Sequence, residues 1–398
     1  MLQGKKVLFG VTSSIACYKA ADIARTLVKS GAEVQVIMSA NASKLISPML
    51  FEHLTKKRCL TDTFAPSPEM KVEHIAAAQW ADVFITAPAT ANIIAKFANG
   101  IADDMLSTTA LACRCPRLVA PSMNTAMYEN PVTQRNLDRL RDYGYQIIEP
   151  AVGLLACGDT GRGKLAAEAE IIEAIEQAVT DKDMYGQRVL ISAGPTQESI
   201  DPVRFITNHS SGKMGYALAK AAARRGATVT LVSGPCNLEK PFGVETVDVI
   251  SAADMREEIM IRADMSDIIV MAAAVADYRP AYVANQKIKK DDGGLNIELE
   301  RTSDILAELG AVRRPGQFLC GFAMETENLL ENARGKLARK NIDMIAANSI
   351  RVAGAGFGVD TNVITLISAR EEAQLPLMSK DDAANEIFDH IMNMRLGY

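Results

Sequence analysis

The chain is poor in the features that mark several large classes of protein. No apolar run in its 398 residues approaches the roughly 20 needed to cross a bilayer. No basic run stands out, and the net charge is −5 with a pI near 5.6. Nucleic acid and anionic membrane surfaces are therefore poor candidates as main partners. Cys-x-x-Cys is absent and there are only four histidines; the seven cysteines are odd in number and, Cys113 and Cys115 aside, widely spaced. That pattern argues against structural zinc and against a disulfide framework. The N-terminus opens on a lysine pair and a strand, not on a charged stub and a long apolar segment, so no secretory signal is read there. Low-complexity sequence is absent. The expectation is a soluble, cytoplasmic protein of a reducing compartment.

What is present is a chain that starts twice. Lys5-Lys6-Val7-Leu8-Phe9-Gly10-Val11-Thr12 is a basic cap, a strand of the kind buried on both faces of a parallel sheet, and a small-residue turn. Gln187-Arg188-Val189-Leu190-Ile191-Ser192-Ala193-Gly194 repeats that layout near the midpoint. An Ala-rich helix follows each, and Ser30-Gly31-Ala32 is echoed by Arg225-Gly226-Ala227. A third echo pairs Asp82-Val83-Phe84-Ile85 with Asp267-Ile268-Ile269-Val270. With 48% apolar residues the chain can bury two cores. The reading is α/β, two tandem Rossmann-like domains over residues 1–182 and 187–398, divided at the charged Asp181-Lys182-Asp183. Strands are expected at Val7–Val11, Val34–Met38, Val83–Thr86, Leu118–Ala120 and Tyr145–Ile148, giving about five parallel strands. A helix over Glu168–Val179 closes this unit. The second half repeats strand, helix, strand to about Val275, with later strands around Gln317–Phe322, Asp343–Ala347 and Asn362–Ser368. Lys287–Asn296 is polar and turn-rich, and is expected to be a mobile loop.

In the first half, Thr12-Ser13-Ser14 lies between strand and helix, where it serves equally as an N-cap or as a phosphate loop. Gly-x-Gly-x-x-Gly is missing, so this turn is not a dinucleotide fingerprint. Ala87-Pro88-Ala89-Thr90-Ala91-Asn92 follows another strand at the sheet edge where α/β proteins bind ligands. Its small residues admit a flat ring, while Thr90 and Asn92 offer polar edges. Asn124, in Pro121-Ser122-Met123-Asn124-Thr125-Ala126-Met127-Tyr128, is placed to meet a carboxylate or carbonyl, although methionines in such a stretch are commonly packing. Gly153–Lys164 has four glycines in twelve residues around Cys157. It reads as a mobile lid carrying a reactive thiol. His74 by itself reads as a surface or structural histidine sooner than as a base, and only a partner in space would promote it.

These marks together resemble the flavin-dependent cysteine decarboxylases over about residues 5–180. The resemblance is carried by Pro121-x-Met123-Asn124-x-x-Met127, by Ala156-Cys157-Gly158-Asp159 and by His74. Tyr128 stands where that family usually has tryptophan, and Lys164-Leu165 where it often has Arg-Met. The resemblance implies a flavodoxin-like domain holding FMN through Thr12, Ser13, Ser14, Ser39, Pro88, Thr90, Asn92 and Met123. It also implies that flavin oxidises the substrate thiol to a thioaldehyde, an electron sink for loss of the adjacent carboxylate, before returning the hydride. His74 would be the base, Asn124 the carboxylate anchor and Cys157 the acid of the reductive half.

In the second half, Gly194–Arg204 reads as a long loop where a short βα turn is expected. Ser211-Gly212-Lys213 suggests a P-loop, but the glycine required five residues earlier is Thr207, so that reading fails. The amides of Ser210, Ser211 and Gly212 still suit a phosphate at a helix start. Ala272–Asp277 leaves a strand with tiny side chains and one acid, which suits either a close helix contact or backbone approach to a nucleotide. Lys287, Lys289 and Lys290 suit a solvated run or a triphosphate clamp, and Lys336 and Lys340 share a helical face.

With Gly194-Pro195-Thr196, Asn208-x-Ser210-Ser211-Gly212-x-Met214-Gly215 and Gly321-Phe322-x-x-Glu325, this half resembles the phosphopantothenate–cysteine ligases over about residues 187–395. The whole chain is thus similar to the bifunctional coenzyme A biosynthesis proteins, which join the two activities in this order. The resemblance implies that CTP activates 4′-phosphopantothenate as an acyl-cytidylate, from which the L-cysteine amine displaces CMP. Asn208 would act on the acyl-cytidylate and Lys287 on the triphosphate. Met271, Ala272, Ala273, Asp277, Ser303, Asp304, Ile305, Leu306, Phe322, Lys336 and Lys340 would line the nucleotide site, and Mg2+, with Asp277 as ligand, would neutralise phosphate charge. Homo-oligomers of trimeric decarboxylase and dimeric ligase units, up to a dodecamer, are implied as well. The residues alone leave two rivals open: a decarboxylase of another cysteine-terminated substrate with a degenerate second half, and a flavin-binding regulatory protein.

Overall fold

A computed structural model of the chain describes residues 2–65, 72–155, 158–289, 295–325, 329–349 and 358–396. The chain forms two compact units, Met1–Thr180 and Asp181–Tyr398.

The first unit runs β1 (Lys6–Val11), α1 (Lys19–Lys29), β2 (Glu33–Met38), α2 (Pro48–Thr55), α3 (Glu73–Trp80), β3 (Val83–Ala89), α4 (Ala91–Asn99), α5 (Met105–Ala112), β4 (Arg117–Pro121), α6 (Thr125–Glu129), α7 (Pro131–Asp142), β5 (Tyr145–Ile147), β6 (Ala151–Leu154), β7 (Thr160–Lys164) and α8 (Glu168–Val179). Its five-stranded parallel sheet has the flavodoxin-like order β2-β1-β3-β4-β5. The continuous apolar run of β1 is explained by burial on both faces. Val7, Phe9 and Val11 join α1 and α8 in one core, while Leu8 joins α4, α5 and α7 in the other.

The second unit begins with β8 (Arg188–Ala193), β9 (Gln197–Ser199), β10 (Phe205–Thr207), α9 (Lys213–Arg224), β11 (Thr228–Ser233), β12 (Glu245–Asp248), α10 (Ala252–Ala263), β13 (Ile268–Met271), β14 (Tyr278–Pro280) and β15 (Leu299–Arg301). It continues with α11 (Ile305–Val312), β16 (Phe318–Glu325), α12 (Leu329–Lys340), β17 (Met344–Ser349), β18 (Thr361–Asn362), β19 (Ile364–Ser368), β20 (Glu372–Gln374), β21 (Met378–Ser379) and α13 (Lys380–Leu396). The main sheet is ordered β12-β11-β8-β13-β16-β17-β19-β20. It is parallel from β12 to β17, and β19 and β20 then add antiparallel.

The sequence echo is structural. In the first unit the Lys6 N–H donates to Asp82 Oδ2 at 2.8 Å and the Asp82 N–H returns a bond to Lys6 O at 2.9 Å. In the second, Arg188 and Asp267 repeat the exchange at 2.9 and 2.8 Å. Each pair locks the amino end of a first strand to the strand that neighbours it.

Two segments differ from expectation. Gly153–Lys164, expected as a mobile lid, contains in its described part an antiparallel β6–β7 hairpin that its glycines did not announce. Gly161 and Gly163 serve close approach. Gly163 sits at φ +131°, and a Cβ there would stand 2.2 Å from Met123 O. The Gly194–Arg204 stretch likewise contains strand β9, which pairs with β10 in a second hairpin. In both, the strands are only three to five residues long, too short to show the alternation by which a strand is recognised.

Candidate functional sites at the two sheet edges

In the first unit, hydroxyl groups join the carboxyl ends of the strands. The Thr12 hydroxyl, just past β1, donates to Pro88 O at 2.7 Å and accepts from the Thr90 N–H at 3.1 Å. Ser14 Oγ lies 3.0 Å from Ser122 Oγ, which links the β1 and β4 ends. Thr90 caps α4 by accepting from the Ile93 N–H at 3.4 Å. Ser39 follows β2, its N–H on Val11 O at 3.0 Å. Thr12, Ser14, Pro88 and Thr90 are thus brought together around the β1/β3 switch point, the place where open parallel sheets of this order take ligands. Asn92 is exposed on the first turn of α4.

Asn124 caps α6 through the Ala126 N–H at 2.9 Å, and its Nδ2 donates to Asp159 Oδ2 at 3.0 Å. The β6–β7 hairpin is fastened to the same segment by the Met123 N–H on Gly163 O at 2.9 Å. The hairpin turn holding Asp159 therefore sits on the Met123–Asn124 segment, as the two motifs require if they serve one site. Tyr128 is buried and its hydroxyl donates to Glu149 at 2.7 Å. Burial first, then Glu149, push the phenol up to about 12. His74 is half-buried on the first turn of α3 and makes no hydrogen bond to Asn124 or to the hairpin among the described residues. Cys157 lies outside the described residues.

In the second unit a cavity of about 620 Å³ opens at the carboxyl edge of the sheet. Asn208, Ser210, Ser211 and Gly212 form one side of its lining, Met271, Ala272, Ala273 and Asp277 another. Ser303–Leu306, Phe322, Lys336 and Lys340 complete the set expected to meet a nucleotide. Lys287 is the exception. It is exposed on the loop after β14, outside the lining, and Lys290 lies outside the described residues.

The walls are rigid for local reasons. Gly212, at φ +77°, turns the chain into α9, and Gly215 lets that helix rest on β8, because a Cβ there would stand 2.5 Å from Ala193 Cβ. The Ala272–Asp277 backbone is tied on both sides: the Ala273 N–H donates to Ser192 Oγ, the Ala276 N–H to Thr196 Oγ1 and the Thr302 N–H to Asp277 O, at 3.0–3.1 Å. Asn208 Nδ2 donates to Ala274 O at 2.9 Å, which holds its side chain on the cavity wall. Lys340 Nζ grips both Asp304 oxygens at 2.9 and 2.8 Å. Burial raises the Asp304 carboxyl, but the Lys340 bond and the Ala307 N–H outweigh it and hold the group below its usual range.

Sequence reasoning missed Thr302, Asn348, Asn362, Lys213 and Lys380, all of which line the cavity. Asn348 Oδ1 is buried with no hydrogen-bond partner among the described residues. Its signal was one amide in the otherwise apolar strand Met344-Ile345-Ala346-Ala347-Asn348. Lys380 is buried at the start of α13. Burial, then the positive charge of Lys213, push its amine down, with Asp360 pulling the other way.

Comparison with known proteins covers both units. The model of the "Flavoprotein" family matches residues 1–180, and that of the "DNA/pantothenate metabolism flavoprotein C-terminal domain" matches residues 184–394. The coenzyme A biosynthesis bifunctional protein CoaBC of Bacillus subtilis (strain 168) is 48% identical over 396 residues, 98% of this chain and 97% of its own. A crystal structure of the C-terminal domain of a coenzyme A biosynthesis bifunctional protein CoaBC is 46% identical, with TM-score 0.47, over 54% of this chain and 98% of its own. That of the FMN-dependent cysteine decarboxylase SpaF is 35% identical, with TM-score 0.39, over 44% of this chain and 99% of its own. The two family matches and the near full-length identity agree, and the chain belongs to the family of coenzyme A biosynthesis bifunctional proteins.

Proposed function

We propose that the chain is a bifunctional enzyme of coenzyme A biosynthesis. Residues 187–398 join 4′-phosphopantothenate to L-cysteine at the expense of CTP, and residues 1–182 decarboxylate the resulting 4′-phosphopantothenoylcysteine to 4′-phosphopantetheine. The observation that carries the ligase half is the single cavity that collects the Asn208 loop, the Ala272–Asp277 backbone and the Lys336/Lys340 face.

In the ligase unit a carboxylate is a poor acyl donor, so it must first be joined to a nucleotide. The substrate carboxylate attacks the α-phosphorus of CTP and pyrophosphate leaves. The cysteine amine then attacks the acyl carbon, CMP departs and the amine loses its proton. The tied backbone of Ala272–Asp277 offers fixed amides and carbonyls to the base and sugar, and Lys336 and Lys340 offer positive charge to phosphates. Asn208, held by Ala274 O, presents a neutral amide beside the reacting carboxyl, where a charged acceptor would repel it. Among the described residues no group of three or more His, Cys, Asp or Glu side chains gathers to hold a metal. Asp277 therefore fits as one carboxylate for a Mg2+ carried mainly by nucleotide phosphates and water, as that ion prefers.

In the decarboxylase unit the small residues of Ala87–Thr90 and the Thr12 and Ser14 hydroxyls suit FMN, with Ser13, Ser39, Asn92 and Met123 around it. When bound, FMN supplies the reversible two-electron oxidation that makes loss of the carboxylate feasible. Asn124 orients the substrate carboxylate, Asp159 orients Asn124, and His74 and Cys157 move protons. Exposed apolar side chains on this unit, among them Ile15, Tyr18, Met49, Val152 and Leu154, support assembly into the expected trimers, with dimeric ligase units building the larger oligomer. No helix among the described residues is long and apolar enough to cross a membrane. The test is the mass of the product formed from 4′-phosphopantothenate, cysteine, CTP and Mg2+. A product one carbon dioxide lighter than the condensation product establishes both activities, the condensation product itself with its carboxylate retained establishes only the ligase, and recovery of unreacted 4′-phosphopantothenate refutes the assignment.

A further inference from the structure

Outside the cavity, one buried carboxylate is engaged by loop backbone and by a neighbouring guanidinium. Asp201 lies between β9 and β10 with its side chain fully shielded from solvent. Its Oδ1 accepts from the N–H groups of Val203 and Arg204 at 2.8 and 2.9 Å. Its Oδ2 accepts from Arg204 Nε at 2.9 Å, from Arg204 Nη2 at 2.7 Å and from the Ile288 N–H at 3.1 Å. Arg204 Nη2 also donates to Ile288 O at 2.6 Å, and the Ala284 N–H donates to Ile200 O at 3.0 Å. One ion pair thus holds both peptide groups of Ile288. The residues on either side of it are Lys287 and Lys289, both exposed.

Residues 281–289 carry no helix or strand to fix their path, and a lysine side chain gives up rotamer freedom when it binds. Pinning the adjacent backbone removes part of that cost before the nucleotide arrives. We infer that Asp201 is a positioning residue for the nucleotide-dependent step: by clamping Ile288 it fixes where Lys287 presents its charge. The inference rests on the reading that Lys287 meets the CTP triphosphate. Asp201 itself touches neither substrate nor nucleotide.

The test is a double-mutant cycle on the full-length protein, with pyrophosphate release followed at varied CTP. Asp201→Asn keeps the shape of the side chain but weakens every bond to Arg204 and Ile288. It raises KM for CTP about tenfold and changes kcat less than twofold. Lys287→Gln raises KM comparably. Adding Asp201→Asn to Lys287→Gln changes KM less than twofold further, because the clamp acts through the lysine that is already gone. If Asp201→Asn does not fold, Ile288→Pro removes the N–H that Asp201 accepts, leaves the Asp201–Arg204 pair in place and produces the same rise. A normal KM in Asp201→Asn or Ile288→Pro, with a raised KM in Lys287→Gln, overturns the inference and leaves the nucleotide reading standing. So does a full tenfold increment in the double variant, which is the mark of a general structural effect. A normal KM in Lys287→Gln instead removes the nucleotide reading of that residue, and the inference with it.

Discussion

Gly163→Ala tests how the β6–β7 hairpin is joined to the Asn124 segment. Gly163 has φ +131°, outside the range of L residues, and a Cβ added there would meet Met123 O at 2.2 Å. The methyl group forces the two backbones apart, so the bond from the Met123 N–H to Gly163 O is lost as well. Strain of about 1–3 kcal/mol and a lost hydrogen bond of about 1 kcal/mol together give roughly 2–4 kcal/mol. For a unit of this size that lowers Tm by roughly 5–15 °C. Scanning calorimetry of the full chain reads the transition of the first unit, and ligation by the second unit serves as an internal control. Gly158→Ala is the comparison. It also sits at positive φ, +89°, but in open space with nothing within 4 Å, so it carries only the strain of roughly 1 kcal/mol. If Gly163→Ala unfolds within 1 °C of the parent, or Gly158→Ala proves the more damaging, the argument from close approach is wrong.

Three further outcomes are expected. Asn208→Asp puts a carboxylate opposite Ala274 O and the reacting carboxyl, so acyl-cytidylate formation or use falls by at least about tenfold, read as pyrophosphate release and trapped intermediate. Decarboxylation of supplied 4′-phosphopantothenoylcysteine continues at the parental rate. The Asp201 carboxyl is raised by burial but held at about 2 by the N–H groups of Val203 and Ile288 and by Arg204. A depressed carboxyl contributes stability that is full above its unfolded value of about 3.9 and is lost as pH falls through about 2. The difference in urea midpoint between the parent and Asp201→Asn is therefore constant above about pH 5 and vanishes at the acid end, and a difference that persisted there would count against the clamp. Cutting the chain between Thr180 and Gly186 yields two separately soluble units, the first yellow, as absorbance after separation will report.

The sequence was most legible where one residue type has one physical reason to recur. The apolar runs Val7–Val11 and Val189–Ala193 announced strands covered on both faces, and both are interior strands of their sheets. The cavity lining from Asn208 to Lys340 was reachable because motif residues cluster at strand ends, where a parallel sheet gathers distant parts of the chain. Asn348, Asn362 and Lys380 escaped for the converse reason. They stand singly, far apart in sequence, and only the approach of β17, β18 and α13 to α9 makes them neighbours of the site. The β6–β7 hairpin was hidden by its glycines, which signal turns locally but here admit the backbone of Met123. Asp201 looked like one more loop acid, since nothing in a sequence shows that three backbone N–H groups and a guanidinium converge on one carboxylate.

The reciprocal bonds of Lys6 with Asp82 and of Arg188 with Asp267 separate frame from chemistry. Both lie at the amino edge of their sheets, while the candidate sites lie at the carboxyl edge. Strand registration is thus decided at one rim, and substitutions at the other can retune what is bound without letting a strand slip. Two units anchored alike at one rim can thus carry different sites at the other, as the two halves of this chain do.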